Sequence, residues 1–269
     1  MEHKIRTCPV CGSANPTEVE KRTVGSETYY VYKCHACGEE FDTEQYKTTP
    51  IEGRGHVEPE QDGNDLAVEI YNKCIKYMRS VVADFKNSRS AGTAISLGGG
   101  YYVTNCHVVT NTDDNGKISI PDEIALFDDD GKGKYAELIA AEPTQDIAIV
   151  KSTDYCGGAT FFDGEVRTGE KIFAIGNSKG QGLNILDGIV SDRNRQVGAK
   201  ECIMFSAPIV GGNSGGALLN VRGEVIGVTT SGLKDTTAMN YAIVVSTIKA
   251  FVDAVNDKEE LQITLITRK

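Results

Sequence analysis

The spacing of apolar residues changes twice along the chain. After Asp65 they recur at positions 66, 67, 70, 71, 74 and 78, and this helical spacing predicts a first helix that ends near Tyr77. Near the other end, Ser246 is suited to cap a second helix with apolar residues on one face. In between, the period falls to two, which is typical of short strands. The strand-like segments are 81–83, 93–95, 101–103, 147–150, 172–175, 189–190, 203–205 and 225–228.

These patterns divide the chain into four parts. Residues 66–256 form a mainly β domain with helices at its ends, because turn-forming residues separate the strand-like segments. Residues 42–65 are polar, with two prolines and three glycines, which is typical of a linker. The tail, 257–269, contains a stretch at 261–265 that alternates like a strand but has no evident partner. Residues 1–41 form a separate small module.

The small module contains a metal-binding pattern. Two Cys-x2-Cys pairs are separated by 22 residues, and each pair is followed by a glycine. Two such turns place four thiolates around one tetrahedral Zn²⁺. The four predicted ligands are Cys8, Cys11, Cys34 and Cys37. The pattern therefore predicts a zinc ribbon, the alternatives being two disulfides or unbound thiols. Because four thiolates close the coordination shell, the zinc is structural rather than catalytic.

Charge and composition exclude some classes of function. The chain is 40% hydrophobic and 25% charged, and it has no apolar run long enough for a transmembrane helix. Its net charge of −10 is the wrong sign for binding a phosphate backbone, and residues 1–41 carry five Lys and Arg against six Asp and Glu. We therefore expect the ribbon to dock a regulatory protein rather than nucleic acid. The first residues lack the apolar region of a secretory signal, and the remaining cysteines are scattered, so we expect a cytoplasmic location.

Three polar residues could carry nucleophilic catalysis. Ser214 lies within the glycine-rich run 211–216, whose glycines allow a tight turn and give backbone amides access to a developing oxyanion. On its own, this run is equally consistent with a hairpin loop that contains an incidental serine. His107, however, is the only histidine after the linker, so it is the only base available to Ser214 in this domain. Asp146 begins an apolar strand, where burial would let it orient the imidazole, whereas the aspartates at 113–114 and 128–130 lie in polar turns.

The ordered motifs around these residues resemble a family. Residues 66–256 resemble a trypsin-like serine protease of the HtrA/Deg type, without a PDZ domain. The matching stretches are 91–95, 102–109, 146–151, 169–177, 188–191 and 207–218. The resemblance implies a chymotrypsin-like double β-barrel with His107 and Asp146 in the first barrel and Ser214 in the second. It also implies hydrolysis of peptide bonds through an acyl-enzyme, with no cofactor for catalysis.

The resemblance also suggests further site residues. The backbone N–H groups of Gly212 and Ser214 would form the oxyanion hole. Substrate backbone would pair with four consecutive residues, Val228, Thr229, Thr230 and Ser231. Pro208 stands six residues before the serine, where a carboxylate would favour Lys or Arg substrates, so we expect cleavage after small apolar residues. Asn213 replaces the aspartate of digestive trypsins, so an ion pair with a freed N-terminus does not order this loop.

Two other functions fit parts of the sequence. A protease fold without turnover could serve as a scaffold or peptide-binding module docked through its zinc ribbon. A ribbon-based nucleic-acid protein is the less favoured alternative because of the acidic charge. For the protease we expect protein or peptide substrates and no membrane partner, and an oligomer is compatible with the family.

Overall fold

The computed structural model describes residues 17–24, 27–33, 40–42, 63–112, 117–232 and 239–269. The chain divides into two units, Met1–Glu60 and Gln61–Lys269. In the described part of the first unit, strands β1 (Thr17–Val24), β2 (Glu27–Lys33) and β3 (Glu40–Asp42) form an antiparallel sheet in that order.

The predicted zinc ligands cannot be compared with the structure. Cys8, Cys11, Cys34 and Cys37 all lie outside the described residues. The zinc ribbon, and the domain boundaries drawn from the sequence, therefore stay predictions.

The second unit begins with helix α1 (Gly63–Cys74) and a 3-10 turn (Ile75–Tyr77), close to the predicted first helix. The elements that follow are β4 (Met78–Phe85), β5 (Ser88–Gly98), β6 (Tyr101–Thr104), α2 (Cys106–Val109), β7 (Asn111–Thr112), β8 (Ile118–Ser119), β9 (Glu123–Phe127), β10 (Gly133–Glu142) and β11 (Ile147–Ser152). Six of these strands close an antiparallel barrel in the order β10-β11-β6-β5-β4-β9, and β7 and β8 pair with each other.

A second barrel occupies the remainder of the chain. Its elements are β12 (Thr160–Phe162), β13 (Lys171–Gly176), a 3-10 turn (Ser178–Gly180), β14 (Asn184–Val197), β15 (Lys200–Phe205), β16 (Ala217–Leu219), β17 (Val225–Gly232), β18 (Asn240–Val244), α3 (Val245–Glu259) and β19 (Ile266–Arg268). The pairing β16–β17 closes the ring β16-β13-β14-β15-β18-β17. The predicted double-barrel fold is confirmed.

Apolar runs in the central strands reflect burial on both faces. In β11, Ala148 and Val150 point into the first barrel, whereas Ile147 and Ile149 join a cluster that also contains Phe173 of the second barrel. Successive side chains of a strand point to opposite sides, so a strand between two cores must be apolar throughout. The small alanine fits the barrel interior, and the larger isoleucines fill the space between the barrels. This packing holds the loops of both barrels in a fixed relation.

Two local predictions at the C-terminal end are wrong. Helix α3 begins at Val245 and has Val244 as its N-cap, so Ser246 does not cap it. The tail strand is Ile266–Arg268 rather than the alternating stretch 261–265, and it pairs in parallel with β12. In that stretch, Ile263 is instead buried against the core. Alternating apolar and polar residues also fit a segment that packs its side chains against a core without pairing as a strand.

Candidate active site

His107 and Asp146 form a closely bonded pair. His107 lies in α2, and its side chain is half exposed. Its Nδ1 is 2.9 Å from each carboxylate oxygen of Asp146, and its backbone N–H donates to Oδ1 at 3.1 Å. The carboxylate therefore fixes both the ring and the backbone that carries it. When Nδ1–H donates to the carboxylate, Nε2 is left as the basic nitrogen.

The position of Asp146 is determined by its backbone and by two further hydrogen bonds. The residue lies in the turn before β11 with a left-handed φ of 55°, which is uncommon outside glycine. Asn105 donates to its carbonyl at 2.8 Å, and Thr230 Oγ1 donates to Oδ2 at 2.6 Å. Burial raises the pKa of the Asp146 carboxyl, but the hydrogen bonds from His107 and Thr230 outweigh this, so its pKa lies below the ordinary value. The carboxyl is ionised at neutral pH.

Ser214 joins this pair through Thr230. The Ser214 hydroxyl, in the loop between β15 and β16, donates to the backbone carbonyl of Thr230 at 2.9 Å. Thr230 thus contacts the serine with its backbone and Asp146 with its side chain. Within the described part of the chain, no hydrogen bond joins the Ser214 hydroxyl to the His107 ring. The three residues predicted from the sequence are therefore brought into one network, with the hydroxyl turned toward β17.

The loop before Ser214 is held in one conformation on both sides of Gly212. The Gly211 carbonyl accepts a bond from Lys179 N–H at 2.7 Å, and the Gly212 carbonyl accepts one from Thr93 Oγ1 at 2.9 Å. Gly212 itself has a φ of 97°, and a Cβ there would lie 2.1 Å from the Asn177 carbonyl oxygen. Only glycine fits this position.

Two backbone donors of this loop remain available. In the described residues, the N–H groups of Gly212 and Ser214 donate to no protein acceptor. A peptide N–H points opposite to the carbonyl of the same peptide, so the bond to the Gly211 carbonyl turns Gly212 N–H away from Lys179. These are the donors that the sequence assigned to an oxyanion hole.

Neutral hydrogen bonds also hold Asn213. This residue is 3% exposed, and its Oδ1 accepts a bond from Ser178 Oγ at 3.0 Å. Hydrogen bonds within the second unit therefore hold this loop in the structure. The absence of an aspartate at this position leaves open, from sequence alone, whether the loop is ordered intrinsically, by substrate or by a partner.

Thr93 of β5 is a site residue that sequence reasoning missed. Besides its bond to Gly212, its hydroxyl accepts from Asn177 N–H at 2.9 Å, and its own N–H donates to the Ser214 carbonyl at 2.8 Å. The side chain is fully buried. The adjacent Gly92 was a signal of this contact: a Cβ there would lie 2.9 Å from the Ser214 carbonyl oxygen. The first barrel thus supports the serine loop directly.

The cysteine beside His107 is not positioned as a nucleophile. Cys106 is 3% exposed, and its thiol contacts the Thr110 hydroxyl at 3.2 Å. Burial raises its pKa, which disfavours the thiolate. From sequence alone, neighbours in a strand would point to opposite sides, which predicts a buried structural thiol rather than a second nucleophile. Residues 106–109 form the short helix α2 instead, so Cys106 is structural because it is buried.

The predicted substrate-binding residues differ in availability. Pro208 is exposed after β15, and the side chain of Ser231 lies outside the described residues. Val228 is fully buried and pairs with strands on both sides. Thr229 uses its hydroxyl, its N–H and its carbonyl in bonds to the serine loop. Val228 and Thr229 therefore have no free group with which to pair a substrate, and Thr230 offers only its backbone.

Comparisons with known proteins agree with this geometry. The family described as trypsin-like peptidase domain matches residues 91–228, about half of the chain. A "Probable periplasmic serine endoprotease DegP-like" of Brucella suis is 35% identical over 173 residues, which cover 61% of this chain and 32% of that protein. A "Probable periplasmic serine protease do/HhoA-like" of Haemophilus influenzae is 34% identical over 149 residues, covering 52% and 30%. The chain spans about a third of the length of these curated relatives.

Solved structures share the fold. The HtrA-type protease AlgW with a tripeptide has a TM-score of 0.63 at 25% identity, covering 72% of this chain and 64% of that one. The active form of the Rv3671c protease from M. tuberculosis has a TM-score of 0.65 at 15% identity, covering 76% and 92%, a likeness of fold alone.

The comparisons correct one expectation and establish the family. The relatives from Brucella and Haemophilus are named as periplasmic proteins, so the expected cytoplasmic location is wrong.

The match to residues 91–228, together with the double barrel and the His107–Asp146–Ser214 network, leads to one conclusion. The chain belongs to the family of trypsin-like peptidase domains.

Proposed function

We propose that the chain is a serine endopeptidase of the HtrA/Deg type, with His107, Asp146 and Ser214 as its catalytic triad. The observation that carries the proposal is the continuous hydrogen-bond network from His107 through Asp146 and Thr230 to Ser214. A base held by a buried carboxylate, a hydroxyl and two free N–H donors are the groups that acyl transfer needs.

Each group has a defined part in the reaction. The Ser214 hydroxyl attacks the scissile carbonyl while His107 Nε2 takes its proton, and His107 then delivers that proton to the leaving amine. Asp146 keeps the proton of the ring on Nδ1 and stabilises the imidazolium. The N–H groups of Gly212 and Ser214 donate to the oxyanion. Water, deprotonated by His107, then hydrolyses the acyl-enzyme and restores the serine.

The reaction requires one movement of Ser214. Its hydroxyl donates to Thr230 in the structure, so this bond must break before the hydroxyl can donate to His107 Nε2. Ser214 is partly buried, and rearrangement of such a small side chain is fast compared with enzyme turnover. Catalytic hydrogen bonds are often absent before substrate binds.

Substrate pairing is proposed at the end of β17. Because Val228 and Thr229 are fully engaged, we place the paired segment at Thr230 and Ser231. An extended peptide would bind there as an added strand. Pro208 supplies no carboxylate to the pocket, which supports cleavage after small apolar residues.

The alternative is a silent protease fold that binds peptides without turnover. One observation favours it, namely that the Ser214 hydroxyl bonds to Thr230 rather than to His107. Digestion of an unfolded protein such as reduced casein separates the two functions. We expect cleavage by the wild-type chain, no cleavage by Ser214→Ala, and product termini that show small apolar residues before the cut. Cleavage that persists in Ser214→Ala, or cuts mainly after Lys and Arg, would contradict the proposal.

The zinc ribbon remains a separate proposal. Structural Zn²⁺ bound by Cys8, Cys11, Cys34 and Cys37, and docking of a regulatory protein through this module, rest on the sequence pattern alone. No catalytic step proposed for the protease domain uses this metal.

Among the described residues, none of the helices combines the length and apolar content needed to cross a membrane.

A further inference from the structure

A partly buried lysine lies beside the Asp146 carboxylate. Lys200 is the first residue of β15, and its side chain is 19% exposed. Its Nζ is 3.8 Å from Asp146 Oδ2, the oxygen that also accepts the Thr230 hydrogen bond. Among the described residues, this is the one ion pair that Lys200 forms. The Asp146 carboxylate is therefore the anionic partner of this ammonium.

The lysine is held there by a contact between the two barrels. Gln145, in the Asp146 turn of the first barrel, donates from Nε2 to the carbonyl of Ala199 in the second barrel at 3.2 Å. Two neighbouring contacts therefore join the barrels here: the hydrogen bond from Gln145 to Ala199 and the ion pair between Asp146 and Lys200. A hydrogen bond between the Asp146 turn and the residue before β15 thus lies next to the Lys200–Asp146 ion pair.

The other charged or titratable groups near Asp146 come from three elements. On α2, His107 bonds to the carboxylate, and the Cys106 thiol is electrostatically coupled to it. Burial raises the pKa of Cys202 on β15 to about 11, so this thiol is neutral beside Lys200 and Asp146. Two carboxylates, Glu142 of β10 and Glu201 of β15, line a shallow pocket next to Gln145 and Ala199. From β17 comes the uncharged Thr230. Among these named groups, Lys200 is the one cation, apart from His107 when its ring is protonated.

We infer that Lys200 is a positioning residue that acts on His107 through Asp146. This inference rests on the proposed triad. The ammonium offsets part of the negative charge of the carboxylate, so solvent protonates the imidazole less readily. His107 thereby stays neutral, and able to accept the Ser214 proton, at a lower pH than the His107–Asp146 pair alone would allow.

The direct test follows proton uptake by His107 in the full chain. The protein has four histidines, so the ring signals can be followed by NMR and His107 assigned with His107→Gln. Lys200→Met keeps the apolar stem and removes the charge. We expect it to move the midpoint of His107 protonation to higher pH by about 0.5–1 unit. Lys200→Arg retains the charge and should stay close to wild type.

A matched control removes a different lysine. Lys171 pairs with Asp187 on the surface of the second barrel, so Lys171→Met should leave the His107 midpoint unchanged. If Lys200→Met does not fold, as judged by circular dichroism, Lys200→Gln replaces it. An unchanged midpoint in a folded, uncharged variant, or an equal shift in Lys171→Met, would overturn the inference.

A second readout separates this inference from the proposed function. The acidic side of the pH profile of kcat/KM should move upward by the same amount in Lys200→Met. If the wild-type chain does not hydrolyse peptides, the proposed function fails, but the NMR titration still decides the role of Lys200. If the NMR midpoint shifts and the kinetic profile of an active enzyme does not, the inferred effect on catalysis is wrong.

Discussion

Replacing Thr93 by valine tests how far the first barrel supports the oxyanion loop. Valine has nearly the same shape as threonine but has no hydroxyl. The change removes the bond to the Gly212 carbonyl and the bond from Asn177 N–H, both 2.9 Å long. Thr93 is fully buried, so neither partner gains water in exchange. We therefore expect the Gly212 peptide to lose one of the two contacts that orient it.

The loss of these two bonds should lower both the free energy of unfolding and kcat. Each of the two buried polar groups left without a partner costs about 1–3 kcal/mol, so we expect the free energy of unfolding to fall by roughly 2–6 kcal/mol. Complete loss of one oxyanion donor lowers kcat by roughly 100-fold or more. Here Gly212 N–H is displaced rather than removed, and Lys179 still holds the preceding carbonyl, so we expect kcat to fall about 10- to 100-fold.

The assay compares kcat, KM and urea unfolding for three variants. Thr93→Ser keeps the hydroxyl and should retain most of kcat. Thr104→Val loses one buried hydrogen bond, to the Thr93 carbonyl, but no bond to Gly212, so it should lose stability with a smaller effect on kcat. A wild-type kcat in folded Thr93→Val, or equal losses of kcat in Thr93→Val and Thr104→Val, would refute the reasoning.

Three further predictions concern the triad, the loop and the metal. Asp146→Asn should lower kcat by about 10⁴-fold in peptide hydrolysis. Because the pKa of Asp146 is lowered by folding, wild-type stability should fall as the pH drops from about 4 through the folded-state value, and Asp146→Asn should lack this loss in acid unfolding curves. Gly212→Ala should lose at least about 100-fold in kcat, because its Cβ meets the Asn177 carbonyl. Metal analysis should find one zinc per chain, and serine replacements of Cys8 and Cys11 should abolish it; zinc retained in that variant contradicts the ribbon.

The mainly β character and the triad candidates could be predicted because their signals are local, whereas the double barrel was implied by the resemblance to the protease family. The strand pattern of Ile147–Val150 and the glycines around Ser214 are each read within a few residues. A lone histidine after the linker reduced the choice of base to one. The alternation of Ile147 and Ile149 with Ala148 and Val150 even reflects the two cores on either side of β11.

The supporting residues could not be predicted because their contacts join distant parts of the chain. Thr93 bonds to a carbonyl 119 positions away, and Lys200 meets a carboxylate in the other barrel. Gly92 indicates a close approach beside Thr93 but not which segment makes it, and the sequence around Lys200 indicates no partner. The short helix α2 was missed for a related reason, since four residues are too few to show a helical period.

Covalent labelling of Ser214 tests the central claim most directly. A fluorophosphonate probe reacts with a serine hydroxyl only where a neighbouring base and oxyanion donors activate it. Mass spectrometry of the digested wild-type chain should find the phosphonate on Ser214, with no labelling of Ser214→Ala and much slower labelling of His107→Ala. A folded wild-type chain that stays unlabelled, or a label that forms equally fast without His107, would contradict the account.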